Sequence, residues 1–430
     1  MATTFQRQLP LILLGSACLA LLAWFLIRQP PPLPHTPTPR EPEPSLSILA
    51  SAPDWNSLEI YQNTITRPDF ENLLTQVFTT GQAWRAFIEI NDQEASIRMG
   101  TQPEGYFHLR FAQAAPATAP RHWHNGAELP PAPPDKPLEG LRIAIDAGHI
   151  GGEWAKMEER WFVLGNGTPV TEGDMTLHVA QLVKPKLEAL GAIVSMVRDK
   201  AEPITPLRPA SLMSTLGESP GSGESPESLK KLAERLFYRT AEIRARAQLV
   251  NDTLKPDLVL CLHFNAEAWG NPNEPTLIDR THLHLLVNGA YNDEEVALAD
   301  QRFALLKKLL QRTHEEEVKV GTTVAETFAQ ISGLPPYTYP ADSLNARPVN
   351  GHPYLWARNL LANRLYDCPV IFMEPYVMNS VQDYNRIQAG DYEGLRFING
   401  KEVPSIFHEY ADALVFSLEK HYRAARPATH

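Results

Sequence analysis

The chain has 430 residues, 43% of them hydrophobic and 21% charged, and carries a net charge of -11 at pH 7. That balance excludes a disordered or fibrous protein, and an acidic chain with no clustered basic window excludes a nucleic-acid partner, because phosphate binding needs a basic face. Three cysteines, Cys18, Cys261 and Cys368, exclude a disulfide framework and a cysteine-rich zinc cluster, so any metal site must draw on histidine and carboxylates.

The first 28 residues contain the uncharged apolar run "QLPLILLGSACLALLAWFLI", long enough to cross a bilayer as a helix. No small-x-small cleavage site follows it, so an uncleaved transmembrane anchor with an exported body is expected: inner membrane, facing the periplasm or cell wall. A cleaved signal peptide and a soluble form, or lipidation at Cys18, are the alternatives. Residues 29–45 form a proline-rich spacer. Residues 46–113 read as a small α+β module, with a helical pattern in "RPDFENLLTQVFTTG" and strands in "WRAFIEI", "EASIRM" and "YFHLRFA". A second linker, rich in Pro and Ala, occupies residues 114–137.

From residue 138 to about 425, apolar strands alternate with longer helical patterns. Strands are expected at 141–146, 193–197, 258–262, 282–287 and 370–373, and helices at 175–190, 229–253, 293–313 and 404–422. This alternation predicts an α/β domain: a mostly parallel, twisted sheet flanked by helices. Pro185 is expected to kink the first helix. The Ser/Gly/Pro-rich residues 206–228 are expected to form a mobile loop able to cover a cleft. "HEEEVKV" reads as a solvated helix end. Cys261 and Cys368 border apolar runs and read as buried free thiols rather than a pair.

The strand in "LRIAIDAGHIGG" ends on His149, and that in "PDLVLCLHFNAEAWG" ends on His263. Parallel strands release their last residues at one sheet edge, where α/β proteins keep their chemistry. Glu172, in "TPVTEGDMTLHVA", falls in the first turn of a helix, with Thr171 and Asp174 spaced as a capping box. Two histidines and a carboxylate from three elements make an open site for one zinc ion. Glu374 ends the apolar strand of "CPVIFMEPYVMNS" and is placed to act as general base. Secondary candidates are Asp146, which could orient a ligand histidine or cap its own turn, Asn265, the pair His282 and His284, and His352 with Arg358 as holders of substrate carboxylates or phosphate-like groups.

In order and context these blocks resemble the zinc-dependent N-acetylmuramoyl-L-alanine amidases with an amidase_3-type catalytic domain, whose signature runs Asp-x-Gly-His-Gly-Gly, Glu at a helix start, Ser-x-His-x-Asn and Glu-x-Gly-Phe. "DAGHIGG", "TEGDMTL", "CLHFNA" and "IFMEPYVMN" stand in those places, and "LEALGAIVSMVRD" resembles the family's intervening helix and strand. Ile150 is inserted, Cys261 replaces the usual serine, and Pro-Tyr follows Glu374. The resemblance implies a phosphorylase/hydrolase-like fold, zinc on His149, Glu172 and His263, catalysis by Glu374, and hydrolysis of the amide joining N-acetylmuramic acid to L-alanine. Peptidoglycan is then the substrate and partner, with any regulatory protein unidentified. The rivals are a zinc peptidase cutting the stem peptide and a wall-binding protein whose catalytic domain has decayed.

Overall fold

The structure, a computed structural model, describes residues 46–100, 105–217, 225–269 and 275–426. The apolar run, Cys18 and the whole of the first proline-rich spacer lie outside these residues. Among the described residues no helix is long and apolar enough to cross a membrane.

Strands β1 (Ile88–Ile90), β2 (Glu94–Arg98) and β3 (Tyr106–Arg110) form a small antiparallel sheet. Its core, including Phe70, Phe78, Ile97 and Phe107, continues into Leu305, Leu306, Leu309 and Leu310 of the Ala299–Gln311 helix. The module is therefore packed onto the larger domain rather than free of it. The same holds for the second linker: Trp123 is buried, and Arg426 donates to the carbonyls of Pro130 and Pro137.

The larger domain is built on β4 (Arg142–Ala147), a hairpin of β5 (Trp161–Phe162) and β6 (Val170–Thr171), β7 (Ile193–Met196), β8 (Leu258–Leu262), β9 (Leu283–Val287), β10 (Arg347–Pro348), β11 (Leu355–Ala357) and β12 (Val370–Pro375). Seven of these make one sheet, in the order β10-β11-β9-β12-β8-β4-β7. β7, β4, β8 and β12 are mutually parallel. Every residue of β8 is buried, as expected of a strand covered on both faces. The helices Glu172–Ala189, Thr313–Ser332 and Ile406–Ala425 share one core with one face of the sheet. Ala247, Val250, Ala362 and Tyr366 share another with Ala144, Cys261 and Phe372.

Register decides what meets at the edge. Asp146 lies opposite Cys261, and Cys261 opposite Phe372, while the Gly148 N–H donates to the Leu262 carbonyl (2.9 Å) and the His263 N–H to that of Met373 (3.1 Å). The residues that follow β4 and β8, and those that end β12, therefore emerge side by side.

Several sequence expectations change. β9 runs antiparallel to β12, pairing His284 with Glu374, so its start rather than its end reaches the site edge. β10 and β11 were not foreseen; strands of two and three residues among Pro, Gly and aromatics show no period. Part of the expected loop is a helix, Pro209–Gly217, whose Leu212 is buried with Ile150 and Phe237. "HEEEVKV" is not a solvated end. Arg312 adopts a left-handed conformation that divides two helices, and Glu316 and Glu317 of the second are buried. Glu317 accepts the N–H groups of Asn288 and Val370. Cys261 and Cys368 are buried free thiols.

Candidate metal centre

The turn after β4 is shaped by glycines that no other residue replaces. A Cβ on Gly148 would lie 2.3 Å from the His263 ring, and one on Gly173 would lie 2.3 Å from the Gly151 nitrogen. The turn thus abuts the N-terminus of the Glu172–Ala189 helix backbone to backbone. The Gly152 N–H donates to Asp174 (2.9 Å), so Asp174 binds the turn instead of closing the expected capping box; Thr171 makes no side-chain cap. Arg198, buried at the end of the neighbouring strand, donates to the Ala147 and Gly173 carbonyls and ties both partners together. Gly148→Ala is expected to displace His263 and lower by about 10-fold or more any metal retained by His149, Glu172 and His263, which metal analysis after dialysis would read.

His149 occupies the left-handed region, at φ +60°, a conformation that costs a β-substituted residue roughly 1–3 kcal/mol and persists only when its surroundings enforce it. They do. Arg246 donates to the His149 carbonyl (2.8 Å) and to that of Ala147 (2.9 Å), and Glu158 accepts the N–H groups of Ile150 (2.9 Å) and Gly151 (3.0 Å). Asp146, expected either on a ligand histidine or on its own turn, is instead paired with Arg246 (2.8 Å) and accepts from the Tyr366 hydroxyl. It acts on the histidine through that arginine. Glu242, also 2.8 Å from Arg246, completes the buried network.

Three donors converge. Glu172 Oε2 lies 3.1 Å from His149 Nε2, and Oε1 lies 3.0 Å from His263 Nδ1. One donor atom from each of His149, Glu172 and His263 falls within 4.8 Å of the others. His263 is clamped by stacking on Phe372, with ring centroids 4.3 Å apart. Glu158 stands 3.7 Å from His149 Nδ1 on its far side, the place of a carboxylate that orients a ligand histidine. Two imidazoles and a carboxylate on three separate elements suit a zinc ion and leave a coordination position open.

The charges agree with a cation site. Burial alone would push His149 down, but Glu172 and Glu158 hold it up at about 9. Burial would raise Glu172, yet His149 and His263 keep it far below the ordinary carboxylate range. Burial lowers His263. Glu374 is compensated less fully: burial, followed by the Glu172 charge, pushes it up to about 8 against the smaller opposing pull of His149, Arg160 and Arg358.

Glu374, Asn265 and Arg358 line the same cleft as the three donors, a cavity of about 500 Å³. Asn265 bridges through its backbone to the segment after Glu374, its N–H donating to the Tyr376 carbonyl and its carbonyl accepting from Met378. His282 and His284 do not line the cleft: His282 pairs with Glu267 (3.0 Å), and His284 packs behind Arg358 against Tyr337 and Tyr339. His352 is turned away, accepting from the Tyr354 N–H. Sequence reasoning missed Glu158, Arg160 and Arg246. None belongs to a motif, and each reaches the site only through tertiary packing.

No family model matches the chain, and no curated protein matches it. Among solved structures it is similar to the N-acetylmuramyl-L-alanine amidase Ami1 of Mycobacterium smegmatis, at 16% identity and a TM-score of 0.36, over 67% of this chain and 99% of that one. It is also similar to the amidase AmiC2 of Nostoc punctiforme, at 15% identity and 0.34, over 66% and 99%. The CwlD amidase of Clostridioides difficile, solved with the GerS lipoprotein, matches at 12% identity and 0.36, over 66% and 98%. Overlaps this loose leave the chemistry to be argued from the site itself.

Proposed function

We propose that this chain is a zinc-dependent N-acetylmuramoyl-L-alanine amidase that hydrolyses the amide between N-acetylmuramic acid and L-alanine in peptidoglycan, in an exported body held at the membrane by its N-terminal segment. The observation that carries it is the convergence of His149, Glu172 and His263 within 4.8 Å in a cleft that also holds Glu374. Zinc bound there supplies a water of lowered pKa and a Lewis acid for the scissile carbonyl.

The protein's own groups do the rest. Glu374, half-buried and with its pKa raised to about 8, is matched to accept the proton of the attacking water and to deliver it to the departing amine. Glu158 and Arg246 hold the His149 turn in its left-handed conformation. The stack on Phe372 fixes the second imidazole. The Phe264 N–H approaches Glu172 Oε1 at 3.3 Å and Arg160 Nε its Oε2 at 3.2 Å, fixing the carboxylate between the histidines.

Metal analysis of the purified full chain tests this. One zinc per chain is expected, lost in His263→Ala; a parent chain that retains no zinc overturns the proposal.

A further inference from the structure

Four arginines line the cleft: Arg160, Arg239, Arg246 and Arg358. Three have carboxylate partners. Arg160 meets Glu172 at 3.2 Å, Arg239 meets Glu159 at 3.4 Å, and Arg246 meets both Asp146 and Glu242 at 2.8 Å. Among the described residues, no carboxylate lies within 4.0 Å of Arg358. Glu374, in the same cleft, feels the Arg358 charge but is raised to about 8 and so is mostly protonated at neutral pH, and a half-buried guanidinium with no ion pair is costly to keep in a protein unless something else supplies the anion.

The backbone of Arg358 is held firmly. Its N–H donates to the Val287 carbonyl (3.0 Å), continuing the ladder between β11 and β9, and its carbonyl accepts from Asn363 Nδ2 (3.0 Å). The side chain is aimed by one neutral contact, Nη1 donating to the Tyr339 hydroxyl at 3.2 Å. Behind that hydroxyl, 3.5 Å away, is His284 Nε2. Burial, with the charges of His282 and Arg358, holds His284 down at about 3, so it stays neutral. Burial likewise raises the Tyr339 hydroxyl and keeps it protonated. The support therefore orients Arg358 without neutralising it, and leaves its remaining N–H groups for a ligand.

We infer that Arg358 is a substrate-binding residue that takes a free carboxylate on the peptide side of the scissile amide. The inference rests on the amidase reading for the choice of side. The carboxyl of N-acetylmuramic acid is consumed in the amide, so the acyl side presents no charge there, whereas the peptide released as the amine carries carboxylates along its length. A guanidinium recognises a carboxylate by paired charge-assisted hydrogen bonds, and this one sits in the same cleft as Glu374, which serves that amine.

The test uses the dipeptide L-Ala-γ-D-Glu and its α-carboxamide as binding probes for the full chain by calorimetry, with hydrolysis of a muramoyl dipeptide in both forms alongside. The acid form is expected to bind about 10- to 100-fold more tightly than the carboxamide, a preference lost in Arg358→Gln and partly restored in Arg358→Lys. In hydrolysis, Arg358→Gln is expected to raise KM for the acid substrate with kcat little changed, at unaltered zinc content. Equal binding of the two probes, no binding of either, or a preference that survives Arg358→Gln overturns the inference. If the preference depends on Arg358 but neither muramoyl dipeptide is cleaved by the parent, the amidase reading falls and the carboxylate site stands.

Discussion

Glu374→Gln is expected to abolish amide hydrolysis, by about 10²- to 10⁴-fold, while leaving bound zinc in place. The change is nearly isosteric and removes only the ability to take and give a proton. Glu374 is not one of the three converging donors, so metal content separates loss of the base from loss of the site. Stability supplies an independent readout. In the metal-free protein the carboxyl is raised from 4.5 to about 8 by burial and by Glu172. An acid raised on folding contributes stability that is fully present below its unfolded pKa and lost as pH rises through its folded value. Between about pH 5 and pH 8 the metal-free parent should therefore lose stability that Glu374→Gln keeps, and the variant should melt at the higher temperature at pH 8. Scanning calorimetry of both metal-free proteins checks this. Equal activity in parent and variant would remove Glu374 from the mechanism.

Glu172→Ala is expected to have the other large effect: loss of zinc and, with it, of activity. Its two oxygens reach both histidines, and its charge is the strongest of the influences that hold His149 up at about 9. At pH 7 the parent's His149 therefore carries a proton that must leave before the ring can act as a ligand. Zinc binding at pH 7 should release about one proton from this residue, and affinity should fall as pH drops below about 9. Calorimetric titration in two buffers of different ionisation enthalpy measures the release. In Glu172→Ala the binding signal itself should vanish; retained stoichiometric zinc would show that another carboxylate completes the site.

That His149, Glu172 and His263 converge was legible in the sequence because strand ends are. "LRIAID" is a mostly apolar run and "LVLCL" a continuous one, each broken by a glycine turn or a polar residue, so the sequence places His149 and His263 at one sheet edge. Glu172 could be placed in a first helical turn from its flanking residues, though the capping box used to place it does not form. What supports the ligands was not legible. Glu158 and Arg246 lie 8 and 97 residues from the backbone groups they bind, and one sequence carries no trace of such pairings. The position of Asp146 suggests a ligand histidine or its own turn as partner, and nothing local points to the buried Arg246 and Tyr366 that it meets. The direction of β9 escaped for a related reason. A short apolar run shows burial but not polarity of the strand, and only pairing with β12 brings His284 opposite Glu374.

The most direct measurement is mass spectrometry of the products released from purified peptidoglycan by the zinc-loaded full chain. Cleavage at the proposed bond yields stem peptides with a free L-alanine amino terminus and glycan strands with an unsubstituted muramic acid carboxyl, and neither product with Glu374→Gln. Peptide fragments cut between amino acids, with L-alanine still joined to the sugar, would contradict it.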